Sequence, residues 1–458
     1  MESTSETMPD TSKADHLCVL VHGLWGNPSH LDYIVYALRE RYGSEDLYIL
    51  CPKANSGNYT YDGIELGGER LVHEVEETLG SLAEKGQKIT KISVIGYSLG
   101  GLLARYAIGL LNARGWLDKL EPMNFTTFAT PHVGVRAPLK GYKDKIFNVL
   151  GPRTISASGR QIWLLDSFRD TGRPLLSVLA DPGSIFITGL KKFRTRSVYA
   201  NIVNDRTVPF YASGLSKVDP FQSLEDVNIN YVKGYEDVII DPDLHVLPPA
   251  ERKPETIASR FWKKLKSVTI WIPLSLVLVV LVPLASTIFL VNAGIQTIRS
   301  SKRIRMHEVG ENGERFRRYR VPVLIRDAQH VVEQAIENVN AIQDPAYLSN
   351  SDTEVSDGAS EKSFKPSVSK FAQNADAESA SARRSSTTNA STRSPKLALT
   401  HEQFGIIDSL KAVGIRKYPV HIQKHRHSHA AIIVRTDKDG FREGKIVMQH
   451  WLDNEFAL

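Results

Sequence analysis

A serine stands between glycines in Gly96-Tyr97-Ser98-Leu99-Gly100, with Gly101 directly behind it. The run Lys91-Ile92-Ser93-Val94-Ile95 before it has the apolar character of a buried strand. After it, Leu102, Leu103, Tyr106 and Leu110 recur at helical spacing. A G-x-S-x-G run between a strand and a helix is the setting of a nucleophile elbow. The turn is too tight for bulky side chains two positions before or after the serine, hence the glycines. Such a turn lifts the hydroxyl above the sheet at a helix N-terminus, where it can attack an acyl carbonyl. A hydroxyl is a weak nucleophile, so this chemistry also needs a base, a carboxylate to orient the base, and donors for the developing oxyanion.

Candidates for each role follow from chain order. His22-Gly23-Leu24-Trp25-Gly26-Asn27 comes straight after the apolar run Leu17 to Val21. A backbone N–H from such an early strand–helix loop usually pairs with the one after the nucleophile, here Leu24 with Leu99. The order serine, acid, histidine places the acid past a later strand end. Asp205, in Val198-Tyr199-Ala200-Asn201-Ile202-Val203-Asn204-Asp205, occupies such a place, with Asp166 and Asp170 as rivals. For the base, His425, His427 and His429 crowd one loop after the run Pro419 to Gln423, and His429 sits where that loop meets Ala430-Ala431-Ile432-Ile433. His245 is the main alternative, and His450 is expected at the surface. No Cys/His set has zinc spacing and no loop has the form of a phosphate cradle, so neither metal nor cofactor is expected.

These residues need a scaffold, and the pattern supplies one. Strand signals at Leu17 to Val21, Tyr48 to Cys51, Ile92 to Ile95, Phe125 to Ala129 and Ser197 to Ile202 alternate with amphipathic helices. One helix carries Leu31, Ile34, Val35 and Leu38, opened by a capping box at Ser29 to Asp32. Another carries Leu71, Val72, Val75, Leu79 and Leu82. The alternation predicts an α/β fold: a mostly parallel sheet with helices on both faces. Residues 132–195 lack a clear strand and read as an insertion covering the top of the sheet. A helix near Glu402 to Val413, a strand at Pro419 to Gln423 and a last helix complete the fold.

The 458 residues carry 42% hydrophobic content, a net charge of +6 and two cysteines. That allows two or three domains and excludes wholesale disorder. Cys18 and Cys51 cannot build a disulfide framework, which reads as a reduced, intracellular chain. No basic stripe interleaves with aromatics, so a nucleic-acid partner is not indicated. The start of the chain has no apolar core of a secretory signal. Residues 267–298, by contrast, are 32 positions without a formal charge. As one helix they would run about 48 Å, against a hydrocarbon core of about 30 Å, and Pro273 and Pro283 interrupt them. The segment lies between Asp205 and His429, so a single crossing would separate acid from base. A hairpin entering and leaving by one face avoids this, and it is flanked by Arg260, Lys263, Lys264 and Lys266 before and Arg299, Lys302, Arg303 and Arg305 after. The expected organisation is a disordered tail (1–14), a catalytic domain (15–250), a hydrophobic hairpin anchor (251–305), a helical segment (306–345), a Ser-rich disordered linker (346–398) and a C-terminal return to the catalytic domain (399–458).

Four stretches carry a resemblance. Leu20-Val21-His22-Gly23-Leu24-Trp25-Gly26-Asn27, Gly96 to Leu102, Ala129-Thr130-Pro131-His132-Val133-Gly134 and Asn204-Asp205-Arg206-Thr207-Val208 are similar to the serine esterase (lipase-like) family of α/β-hydrolases. With the hydrophobic segment and His429-Ala430-Ala431-Ile432-Ile433-Val434-Arg435, the chain resembles fungal lipid-droplet phospholipases. The resemblance implies an α/β-hydrolase fold, Ser98 as nucleophile, Asp205 as acid and His429 as base, and hydrolysis of glycerophospholipid esters without a cofactor. It also implies a lipid-droplet or endoplasmic-reticulum membrane partner engaged through 267–298, with the catalytic domain facing the cytosol. A neutral lipase, a protein acyl-thioesterase and a non-catalytic membrane-tethered scaffold remain open as alternatives.

Overall fold

The computed structural model describes residues 13–138, 142–222, 224, 227–248, 287, 290–307 and 397–458. The expected tail, most of the hairpin anchor, nearly all of the helical segment 306–345 and the Ser-rich linker lie outside the described residues.

Six strands form one sheet: β1 (His16–Val21), β2 (Leu47–Leu50), β3 (Lys91–Tyr97), β4 (Glu121–Phe128), β5 (Thr195–Asn201) and, far along the chain, an edge strand that closes it. Two short antiparallel strands, β6 (Asn228–Ile229) and β7 (Val246–Leu247), make a separate ribbon, so the edge strand is β8 (Arg416–Val420). The spatial order is β2-β1-β3-β4-β5-β8, and every neighbour in it is parallel. A parallel sheet needs its crossovers on the faces, so both faces are buried. In β1, Leu17, Val19 and Val21 join one core while Cys18 and Leu20 join the other, as a period of two requires.

The first core is covered by α2 (Ile64–Glu84), α3 (Leu99–Ala113) and residues of later helices, and the second by α1 (Asp32–Arg41) and the last helix. The short α4 (Trp116–Lys119) leads into β4. The expected capping box at Ser29 is not formed. Asn27 instead caps a 3-10 turn at Pro28–Leu31 by accepting from the Ser29 N–H, and α1 begins after it.

Residues 132–195 hold α5 (Tyr142–Thr154), α6 (Ser156–Ile162), α7 (Leu175–Leu179) and α8 (Ile185–Lys191). They are not simply a cover. Leu175, Leu176, Val178, Leu179, Phe186 and Leu190 belong to the first core, and the Gly109 and Gly189 positions mark where α3 and α8 come within contact distance. The physical reason is topological, since β4 and β5 are parallel neighbours and the chain must cross a face of the sheet between them. After α9 (Phe210–Ser213) and the β6–β7 ribbon comes a helix over 290–307, here α10. It runs through the end of the uncharged stretch into the basic flank without a break. Among the described residues no helix is long and apolar enough to cross a membrane.

The C-terminal part supplies α11 (His401–Ala412), opened by a Thr400/Gln403 capping box, then β8, α12 (Ser428–Ala431) and α13 (Arg442–Asn454). Strand β8 starts and ends three residues earlier than the apolar pattern suggests, because Arg416 keeps its charge exposed beside Glu455 and the half-buried Lys417 donates to the Leu215 carbonyl while both pair with β5. His450 corrects the surface expectation. Its α13 face, with Val447 and Trp451, packs on the sheet, and His450 is buried with its Nδ1 at 2.8 Å from the Tyr199 hydroxyl.

Candidate active site

The turn after β3 adopts the geometry the glycines foretell. Ser98 has φ +54° and ψ −128°, a region that costs about 1–3 kcal/mol and that the surroundings must enforce. A Cβ on Gly96 would lie 2.4 Å from the Gly101 Cα, and one on Gly100 2.2 Å from the Val21 carbonyl oxygen. These are backbone contacts that no rotamer can relieve, so the end of β1 is pressed against the start of α3. A Cβ on Gly23 would likewise meet the Ser98 Cβ at 2.7 Å. The His22–Asn27 loop therefore lies directly beside the serine. Leu24 is in that loop and Leu99 is the first residue of α3, and neither amide donates to another group among the described residues.

Asp205 follows β5 on a turn where Asn204 takes φ +60°. Its buried carboxylate accepts from the Thr207 N–H (2.9 Å), the Val208 N–H (2.8 Å) and Asn201 Nδ2 (3.0 Å). The fourth partner is His429 Nδ1, at 2.9 Å. Burial alone would push this carboxyl up, but the His429 imidazole and these donors outweigh it and hold the group below the usual carboxylate range. An ionised Asp205 can only accept, so Nδ1 of His429 carries the proton and Nε2 presents its lone pair. That Nε2 lies 2.9 Å from Ser98 Oγ. The Ser98 hydroxyl is thus the donor in this contact.

His429 is held on α12 by contacts that its own sequence neighbourhood does not announce. The Tyr97 hydroxyl donates to the His429 carbonyl (2.9 Å), and burial keeps that phenol neutral by pushing it up. Ser428 Oγ donates to the Val203 carbonyl at 2.7 Å, and Asn204 Nδ2 to the Ile422 carbonyl at 3.1 Å. Tyr97, Asn201, Asn204 and Ser428 were not among the sequence candidates. The available signal was their position, one to four residues from a candidate, at strand ends.

The rivals are elsewhere. His245 sits at the β6–β7 ribbon against Phe221, ring centroids 5.9 Å apart, with burial drawing its imidazole down. Asp166 accepts from the Leu175 N–H and Asp170 lies in a 3-10 turn. His425 and His427 lie against one another, ring centroids 5.5 Å apart and tilted by 44°, and neither hydrogen-bonds to Asp205. Among the described residues no group of His, Cys, Asp and Glu could hold a metal ion.

The fold and this constellation define an α/β-hydrolase. Residues 11–217 match the family described as "Putative serine esterase (DUF676)", a stretch that contains Ser98 and Asp205 and ends well before His429. The chain is 34% identical over 223 residues to "Putative lipase ROG1" of Saccharomyces cerevisiae, a match covering 47% of this chain and 30% of that one. It is 31% identical over 212 residues to "Putative lipase C4A8.10" of Schizosaccharomyces pombe, covering 44% and 26%. The chain thus spans less than a third of the length of these two relatives. Among solved structures, Est1E from Butyrivibrio proteoclasticus is 16% identical, covers 44% of this chain and 72% of its own, and superposes with a TM-score of 0.27. At that score the fold assignment rests on the sheet order and the elbow, not on the superposition.

Proposed function

We propose that this protein is a serine hydrolase that cleaves acyl esters of glycerophospholipids at a lipid surface. The observation that carries the reading is the continuous line of contacts Asp205–His429–Ser98, each link 2.9 Å. Ser98 Oγ attacks the ester carbonyl as its proton passes to His429 Nε2. The tetrahedral oxyanion forms beside the Leu24 and Leu99 amides, where each donor is worth about 2.7–4 kcal/mol of transition-state stabilisation. Collapse breaks the ester C–O bond, and the leaving lysophospholipid alkoxide takes the proton from His429. Water then attacks the acyl-enzyme, giving its proton to His429, and the fatty acid departs as Ser98 recovers that proton. No cofactor enters this sequence.

Support for a lipid surface comes from residues 267–298, uncharged throughout, and from the described end of that stretch. On α10, Val291, Ile295 and Ile298 are exposed at i, i+4 and i+7, while the small or polar Ala293, Gln296 and Ser300 face the protein. This reverses the usual amphipathic arrangement and suits a helix whose outer face meets hydrocarbon. The Lys/Arg flanks would add attraction to anionic headgroups. On this reading the hairpin anchors the enzyme to a lipid-droplet or endoplasmic-reticulum membrane, with the catalytic domain on the cytosolic side.

The test is lipid-class profiling of the purified full chain with four variants. Ser98→Ala, Asp205→Asn and His429→Ala should each lower phospholipid hydrolysis by about 10³-fold or more, and His245→Ala should leave it within twofold. Turnover of triacylglycerols or acyl-thioesters with phospholipids untouched would replace the substrate assignment. A chain that takes no serine-directed fluorophosphonate label would overturn the catalytic reading itself.

A further inference from the structure

A cleft lined by none of Ser98, Asp205 and His429 opens beside the insertion. This cleft, about 700 Å³ in volume, lies between the α5–α6 part of the insertion and α10, whose Thr297 and Ser301 close one side. Its wall is apolar where Val149, Trp163 and Leu165 contribute, and Val149 and Leu165 are half exposed. Three guanidiniums reach it: Arg136, Arg153 and Arg160. None of the three forms an ion pair among the described residues; Arg153 donates only to the Val149 carbonyl. On the far side of Arg160 a second cleft is lined by Asp62, Glu65, Asp166 and Asp170 together with Arg169 and His307, and Asp62 and Glu65 are already paired with Arg70, Arg303 and Arg169. Burial pushes the Asp166 carboxyl up to about 6, against the pull of Arg160. The second cleft thus carries both signs of charge, whereas the charged residues lining the first are all arginines.

We propose that the arginine-lined cleft binds the phosphate of an anionic phospholipid, at a site separate from the catalytic serine. Guanidinium forks that form no ion pair among the described residues can match phosphate oxygens in bidentate fashion, and the apolar wall suits the glycerol ester and first chain carbons behind that phosphate. The neighbouring surface agrees: Phe147 and Leu150 on α5, and Ile295 and Ile298 on α10, expose apolar side chains around the same region. A lipid standing in a monolayer would meet the cleft with its headgroup while these side chains meet its acyl layer. A soluble phosphate metabolite has no use for the apolar wall. The inference deepens the lipid-surface reading above and rests on it, since it identifies which headgroups that surface carries.

The probe is a fluorescently tagged short-chain phosphatidic acid, titrated by anisotropy against the full chain in neutral detergent after Ser98 has been blocked with a fluorophosphonate. The Ser98→Ala chain serves as a second arm. Binding should persist in both forms. It should weaken at least tenfold in Arg136→Gln/Arg153→Gln/Arg160→Gln, and by a smaller factor in each single variant. Short-chain phosphatidylcholine and inorganic phosphate should each compete at least tenfold less well than unlabelled phosphatidic acid. Hydrolysis of a water-soluble butyrate ester by unblocked protein, and the melting temperature, should be unchanged in the variants. If the triple variant does not fold, the single variants decide. Binding that is indifferent to the arginines overturns the proposal, as does binding that vanishes on blocking Ser98, which would place the probe in the catalytic site. Inorganic phosphate competing as well as the lipid overturns the lipid assignment. The readout needs no turnover, so a chain that binds phosphatidic acid here yet hydrolyses no phospholipid refutes the catalytic reading alone.

Discussion

Removing the Asp62 carboxylate should release α10 from the catalytic domain. Asp62 is fully buried in its side chain, and its two oxygens accept from Arg303 Nε and Nη2 at 2.6–3.0 Å and from Arg70 Nη2 at 2.8 Å. Both guanidiniums also lie 5.1 Å from the Tyr59 ring. In Asp62→Asn, two cations would face each other across one neutral amide. Breaking a buried pair from one side costs about 3–5 kcal/mol, and the partial exposure of Arg303, 24% in its side chain, argues for the lower end. A cost of about 3 kcal/mol raises the undocked population of α10 roughly 150-fold at RT ≈ 0.59 kcal/mol. Amide hydrogen exchange over 290–307 should accelerate by about two orders of magnitude, while the amides of β1 and β3 keep their rates. The effect should reach the oxyanion loop, because Ser300 Oγ donates to the Tyr61 carbonyl and Trp25 Nε1 to the Tyr61 hydroxyl at 2.9 Å. Unchanged exchange over 290–307 in a folded Asp62→Asn chain would show that the ion pairs do not hold this helix.

Two further outcomes follow from burial and close approach. His16 and His450 are buried as neutral imidazoles, drawn down to about 4 chiefly by burial. Above pH 6.5 neither folded nor unfolded chain protonates them; below it the unfolded chain does so first, so stability falls as pH falls. Between pH 7 and 5 the pair removes roughly 3–4 kcal/mol, while Asp166, whose carboxyl takes its proton in the folded state near pH 6, returns about 1.4 kcal/mol. The melting temperature should therefore fall over that interval, and the fall should shrink in His16→Gln/His450→Gln; an equal slope in both proteins refutes the assignment. Separately, Gly100→Ala drives a methyl group into the Val21 and His22 carbonyl oxygens, at 2.2 and 2.5 Å. About 3 kcal/mol of destabilisation and loss of fluorophosphonate labelling should result, and a variant that melts and labels like the parent would show that the elbow can relax.

The parts legible in the sequence are those whose determinants are local. The five strands of the first half announce themselves as short apolar runs, and the elbow by the glycines flanking its serine, of which Gly96 is dictated by contact with Gly101 five positions on. What escaped depends on contacts between distant segments. The burial of His450 requires knowing that α13 lies on the sheet beside Tyr199. The role of α7 and α8 as a face-covering crossover requires knowing that β4 and β5 are neighbours. The edge strand β8 opens with Arg416 and Lys417, so its charge hides its start. Nothing near Arg303 or His307 signals that the first would meet Asp62 and the second Glu69 (2.6 Å), since side-chain chemistry alone does not specify a partner more than two hundred positions away.

The imidazole enters the sheet from its far edge, on a segment joined to the rest of the catalytic domain by non-covalent contacts as well as by chain. Beyond the strand pairing of β5 with β8, Asn124 holds both the N–H and the carbonyl of Ala457, and Arg41 pairs with Asp453. The histidine segment is thus held to the sheet by contacts outside the roughly 150-residue interval between Leu247 and Leu397, whose described helix α10 docks on Asp62 and Tyr61, and doubling a connecting loop costs only about 0.6 kcal/mol in closure entropy. Natural variation outside α10 can change the length of that interval without disturbing the line from Asp205 to Ser98. A protease that nicks the interval would leave a working two-piece protein, its halves parting only when the sheet itself comes apart.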